Sequence, residues 1–230
     1  MEDRVTPSLY LEFIHGPLEP YVATRVPEVL AVDGAERATW WQAGGTWMLG
    51  EQRMTIDNHL TPASQICLYE VGEAFRPPAF AAPTAWIHWR RYPRPNQGLL
   101  SWRPTIGLLL VLVDATSPEY AQEVRDFLDF VHIPRVVSAA SGISLCTVYE
   151  NTAGERPRYL HVYEITDSDP TETMREVIAR LPEMLGGEGS TEYRHFLSHP
   201  HDVWEANTFS LVGEAPERAP YVRPHFTGDT

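Results

Sequence analysis

One order of marks is written twice along this chain, which restricts it to two similar units or to one unit built from two similar parts. The first pass opens with an apolar stretch, Ser8 to Ile14 (SLYLEFI), and continues through Arg25-Val-Pro to a glycine at Gly34. The second opens with Ile106 to Ala115 (IGLLLVLVDA) and continues through His132-Ile-Pro to Gly142, with one extra residue in that spacing. Leu68-Tyr-Glu-Val71 then matches Val162-Tyr-Glu-Ile165. A chain of 230 residues has room for two such units of about a hundred residues each.

The second pass is the clearer. Its continuous apolar run predicts a strand buried on both faces. Thr116-Ser-Pro-Glu119 then reads as a capping box, and Tyr120, Val124, Phe127, Leu128 and Val131 recur at helical spacing. Proline at 134 predicts that this helix stops before it. Ile143 to Tyr149 and Tyr159 to Ile165 form a hairpin about NTAGERPR, and Asp169-Pro-Thr-Glu172 caps a second helix carrying Met174, Val177, Ile178 and Leu181. A short helix (191–198) and a last strand (208–213) complete β-α-β-β-α-β, the ferredoxin-like order.

The expected fold class is therefore α+β: two tandem ferredoxin-like halves, 1–103 and 104–213, with a Pro-rich C-terminal arm, 214–230. The first half carries an insertion, 42–64, and its second helix is eroded, leaving helical character only at 83–92.

Composition narrows the chemistry. All 18 basic residues are arginine, so mechanisms that need a lysine amine are excluded, including Schiff bases, pyridoxal phosphate and the P-loop. A net charge of -13 argues against nucleic acid and anionic membrane surfaces as partners. Two cysteines, Cys67 and Cys146, make no disulfide framework, and no stretch is long and apolar enough to span a bilayer; a cytoplasmic, bacterial protein is expected. G-x-S-x-G, H-E-x-x-H and G-x-G-x-x-G are all absent.

The H-x-P motif at 132–134 and the PRYLHVYEI strand carry a resemblance. Residues 106–181 are similar to the dimeric α+β barrel superfamily, near its EthD-like members. That resemblance implies that the two halves close their sheets into one barrel within a single chain. It also brings a range of activities, among them monooxygenases, polyketide cyclases, muconolactone isomerases and haem enzymes, so that fold alone fixes no reaction.

His132, transferred onto the H-x-P motif, is the first catalytic candidate, and Arg25 stands at its place in the first half. Alternation puts His161 and Tyr163 on one face of their strand, and a polar pair suits a cavity better than a Leu- and Val-rich helix layer, so both are expected to look into the barrel. Trp40 or Trp41, with Tyr69, Tyr149 and Trp86, would line an apolar site for a small hydrophobic or aromatic substrate. The expected chemistry is His-assisted proton transfer without an organic cofactor, as in a cyclase, isomerase or cofactor-free monooxygenase, with Tyr163 or Tyr149 bonding the enolate oxygen. Haem held by a cavity histidine and a non-catalytic binding protein are the alternatives. His195, His199 and His201 in HFLSHPH lack a carboxylate at ligand spacing and predict no metal site. Homodimerisation is left open.

Overall fold

The computed structural model describes residues 8–44, 48–49, 52–53, 63–78, 86–91, 97–98 and 103–216, with the backbone alone at 48–49, 52–53, 86–88, 91 and 97–98. In chain order the strands are β1 (Ser8–Ile14), β2 (Ala35–Ala43), β3 (Met48–Leu49), β4 (Gln52–Arg53), β5 (Gln65–Val71), β6 (Trp86–Arg91), β7 (Gln97–Gly98), β8 (Gly107–Ala115), β9 (Ile143–Asn151), β10 (Tyr159–Ile165) and β11 (His201–Ala215). The helices are α1 (Leu18–Leu30), α2 (Ala121–Phe127), α3 (Ile133–Ala139), α4 (Pro170–Met184) and α5 (Thr191–Leu197).

Eight antiparallel strands close into a barrel in the order β8-β11-β2-β5-β1-β6-β9-β10, with β10 pairing back onto β8. The orders β6-β1-β5-β2 and β11-β8-β10-β9 follow the same pattern of first, second, third and fourth strand. Closure removes the unpaired edges that an open sheet would expose. It also gives every strand an inward and an outward face, and the helices cover much of the latter, so most strands are buried on both sides. Leu9, Leu11, Phe13, Trp41, Ile66, Leu68, Trp89, Leu108, Leu110, Leu112, Tyr149, Leu160, Val162 and Phe209 meet inside in one apolar cluster. Each such side chain stabilises the fold by about 1.5–3 kcal/mol.

Several local expectations hold. Asp169 accepts from the Thr171 and Glu172 amides and caps α4. Gly34 has φ +84°, and a Cβ there would sit 2.8 Å from the Phe75 amide nitrogen; at Gly142 a Cβ would lie 2.2 Å from Ser168 Oγ. Both glycines of the repeated pattern thus permit a close approach.

Others are corrected. The helix after β8 does not stop before Pro134: a π-helical turn, Leu128–His132, joins α2 to α3, which carries Pro134 at its second position, directly after that irregular turn. Its start is a 3-10 turn (Pro118–Tyr120), and the Ser117 side chain makes no cap bond. The helix expected within 83–92 is strand β6 at 86–91. The last strand is 15 residues long and runs into the expected arm, as far as Ala215. Most of the 42–64 insertion and residues 217–230 lie outside the described residues.

Candidate functional site

The inward and outward faces of the second sheet carry different chemistry. On β10, Leu160 and Val162 point into the barrel, while Tyr163 and Ile165 pack beneath α3 and α4, and Tyr159 beneath α2 and α5. His161 shares that outward face. This corrects the expectation that His161 and Tyr163 look into the barrel: the interior takes the aliphatic pair Leu160 and Val162, which joins the apolar cluster there, and the Tyr163 hydroxyl finds Cys146 in the helix layer.

The outward face beneath α2 is a layer of aromatic and polar groups. Arg125 donates through Nε to Asp129 Oδ2 at 2.8 Å, pairs its Nη2 with Oδ1, and lies over the Tyr159 ring at 4.5 Å. The Tyr163 hydroxyl and Cys146 thiol hydrogen-bond, and burial raises the pKa of both well above the usual value. His132 lies in the π-helical turn, with its ring stacked on Phe196 (4.8 Å between centroids, 11° between planes) and edge-on to Phe127 and His201. Burial first, and His201 and His199 next, push its pKa down to about 3. His161 is likewise held well below its ordinary value by burial, and then by Arg125. His132 Nδ1 and His161 Nε2 are buried without a hydrogen-bond partner.

The corresponding layer of the first half is closed. Glu12, fully buried, accepts from the Tyr10 hydroxyl at 2.7 Å, from the Tyr21 hydroxyl, and from Arg25 Nε and Nη2 at 3.1 and 2.7 Å. Tyr69 joins through Tyr21 at 2.9 Å. Tyr69 and Trp40 therefore belong to the helix layer rather than to a cavity.

Inside the barrel the described polar groups are few, and one of them was missed by sequence reasoning. β11 carries a bulge at Trp204: Val203 lies opposite the outward Val113, whereas Glu205 lies opposite the inward Leu112. The extra residue moves Glu205 to the inner face, where regular alternation would have left it outside. Glu205 is 2% exposed, takes a hydrogen bond from Asn207, and leaves Oε2 without a partner. Desolvation raises its pKa to about 7. Two other interior atoms, Trp89 Nε1 and Thr147 Oγ1, are also buried and unpartnered. Trp41 faces the same interior and donates to Thr39 Oγ1 at 2.9 Å, and Tyr149 lies in the same cluster. The side chain of Trp86 lies outside the described residues.

A carboxyl with a pKa near 7 can both take and give a proton at neutral pH, and orphaned buried polar atoms mark where a ligand or water belongs. The available signal in the sequence was the spacing Glu205, Asn207, Phe209, Leu211, a polar pair continuing an apolar strand face. Among the described residues no group of three His, Cys, Asp or Glu side chains is arranged to hold an ion, and no helix is long and apolar enough to cross a membrane.

No protein-family model matches the sequence, and no curated protein matches it. Solved structures are similar in fold. An anthrone oxidase-like protein aligns over 95% of this chain and 99% of its own, with 11% identity and a TM-score of 0.50. A dye-decolorizing protein from V. cholerae aligns over 91% and 95% (9% identity, TM-score 0.49), and a chlorite dismutase variant from Candidatus Nitrospira defluvii over 89% and 91% (11%, 0.43). The closed eight-stranded antiparallel barrel with helices packed outside it is an α+β barrel, similar in fold to the anthrone oxidase-like protein.

Proposed function

We propose that this chain is a small-molecule enzyme whose acid–base group is the Glu205 carboxyl inside the barrel, and that the barrel is formed by two tandem ferredoxin-like halves. The observation that carries the reading is a buried, inward carboxyl oxygen without a partner on a group poised near pH 7. The substrate class is an aromatic or polyketide-like carbonyl compound, held by Trp41 and Tyr149. Glu205 removes a proton from the carbon beside the carbonyl, and the Trp89 N–H or Thr147 O–H donates to the resulting enolate oxygen. Cyclisation, isomerisation and cofactor-free oxygenation all begin with that step. His132, His161 and Tyr163 lie across the sheet and take no part in it.

Haem, the alternative, does not fit the residues as placed. The unpartnered nitrogens of His132 and His161 are both covered by protein atoms, and a porphyrin reaching His132 would have to displace Phe127 or Phe196.

The test follows carbon-acid exchange in D2O by proton NMR for aryl ketones, starting with anthrone, the compound named for the structural neighbour. Wild type is expected to accelerate exchange with an apparent pKa near 7, and Glu205→Gln to lose about a hundredfold or more of that acceleration. Equal rates in the two proteins, or a Glu205 that titrates at an ordinary carboxylate pKa, would overturn the assignment.

A further inference from the structure

Outside the barrel, a groove of about 460 Å³ runs between α2 with its π-helical turn and α5. Its walls are Phe127, Phe130, Val131, Leu185 and Phe196, and its rim carries Glu123, Asp126 and Glu192 together with His195 and His199. The volume suits a small molecule rather than a protein segment. No arginine is among the described lining residues. Glu123 and Asp126 stand three residues apart on one helix, an arrangement of like charge that costs a few tenths of a kcal/mol in a helix by itself. Arg135 reaches Glu192 at 3.4 Å and Gln122 donates to Asp126 at 2.9 Å.

The floor supplies a second, independent sign. His199 is 10% exposed and lies flat on Phe127, with centroids 3.5 Å apart and planes at 17°. Its Nδ1 is buried without a hydrogen-bond partner and stands 3.9 Å from Glu123 Oε1. That gap is too long for a direct hydrogen bond; Nδ1 is covered, so an N–H donor of about 2.8–3.0 Å reach satisfies both once the exposed Glu123 side chain swings aside to admit it. Burial, and His195 after it, lower the pKa of His199 while Glu123 opposes them; in the neutral tautomer that carries its proton on Nε2, Nδ1 is an acceptor.

We propose that this groove binds a small organic ammonium ion with an aromatic body, the ammonium bridging Glu123 and His199 and the ring lying against Phe130 and Phe196. The acidic rim selects the cation and the phenyl walls select its body. The same rim repels a second copy of this acidic chain, which removes self-association as the occupant. The groove lies across the sheet from Glu205, so the inference does not depend on the proposed activity.

The test is a titration with 2-phenylethylamine, followed by amide chemical shifts, against 3-phenylpropionate as an anion of similar size. The amine is expected to saturate and to move resonances of α2 and α5. Glu123→Gln and His199→Phe, the second keeping the stack on Phe127, should each weaken it tenfold or more. Glu205→Gln should leave it unchanged, which separates this site from the barrel. Equal binding of amine and anion, amine binding that survives both groove variants, or a dimer in sedimentation that covers α2 and α5 would overturn the proposal.

Discussion

The helix-covered faces of the two halves solve the same packing problem with opposite completeness. Beneath α1, a single buried carboxylate collects two hydroxyls and a guanidinium, and with Arg25 reaching out to Glu28 at 3.0 Å every member of the Glu12–Arg25–Tyr10–Tyr21 network is bonded. Beneath α2 and α3, Arg125 and Asp129 pair in a similar way, yet imidazole nitrogens at His132 and His161 are buried with nothing to bond. A closed network fixes a helix to a sheet, whereas an open one keeps groups whose protonation the fold opposes. The first half is therefore the structural anchor, and the second half carries the pH-sensitive groups, the outer groove and the proposed acid–base carboxyl.

The comparison breaks most sharply at Glu12. Replacing Glu12 with Leu removes the buried partner of Arg25 and leaves it only the exposed Glu28, at 3.0 Å; the loss in urea unfolding is expected to approach about 3 kcal/mol, while the double variant with Arg25→Met recovers most of it. Equal stability in the single and double variants would mean that the pair is not a coupled unit.

Acid sharpens the contrast. The pKa of His132 falls from 6.5 unfolded to about 3 folded, so its neutral form is favoured by folding and stability is lost as pH drops from 6.5 towards 3. His132→Phe should remove about 2 kcal/mol of the loss at pH 5. Glu205 works in the opposite sense. Its pKa rises from 4.5 to about 7, so the fold is favoured by the protonated form and loses that contribution as pH climbs between those values. Glu205→Gln should flatten that part of the stability profile. A profile unchanged by both substitutions would place the titrating groups elsewhere.

The smallest effect is the most pointed. His161→Leu removes a buried nitrogen that has no partner, and such a change is expected to be nearly neutral or slightly stabilising in denaturant. A cost above about 2 kcal/mol would show that the nitrogen is bonded in solution.

Much of the architecture could be read from residues whose role is local. The apolar run of β8, the hairpin of β9 and β10, the Asp169 cap and the repeated glycines each act within a few residues. The facing of His161 was not readable, because a closed barrel under helices buries both faces of β10 and alternation then identifies two faces without ranking them. Strand β6 was hidden by prolines on both sides of Trp86–Arg91, whose β-character comes from pairing with β1 and β9, far away in sequence. Glu205 escaped because one bulged residue reverses the facing of everything after it, and the strand was expected to begin only at Thr208.

The turn at 128–132 has a mechanical consequence. A π-helical turn holds one residue more than an α-helical turn would, so it acts as a phase shifter between the segments it joins. The groove-lining side of Glu123, Asp126 and Phe127 and the core-lining side of Ile133 and Val136 are set about 100° apart from the angle an uninterrupted helix would impose. One inserted residue is enough to aim two stretches of a single rod at different targets, and one deletion would realign them.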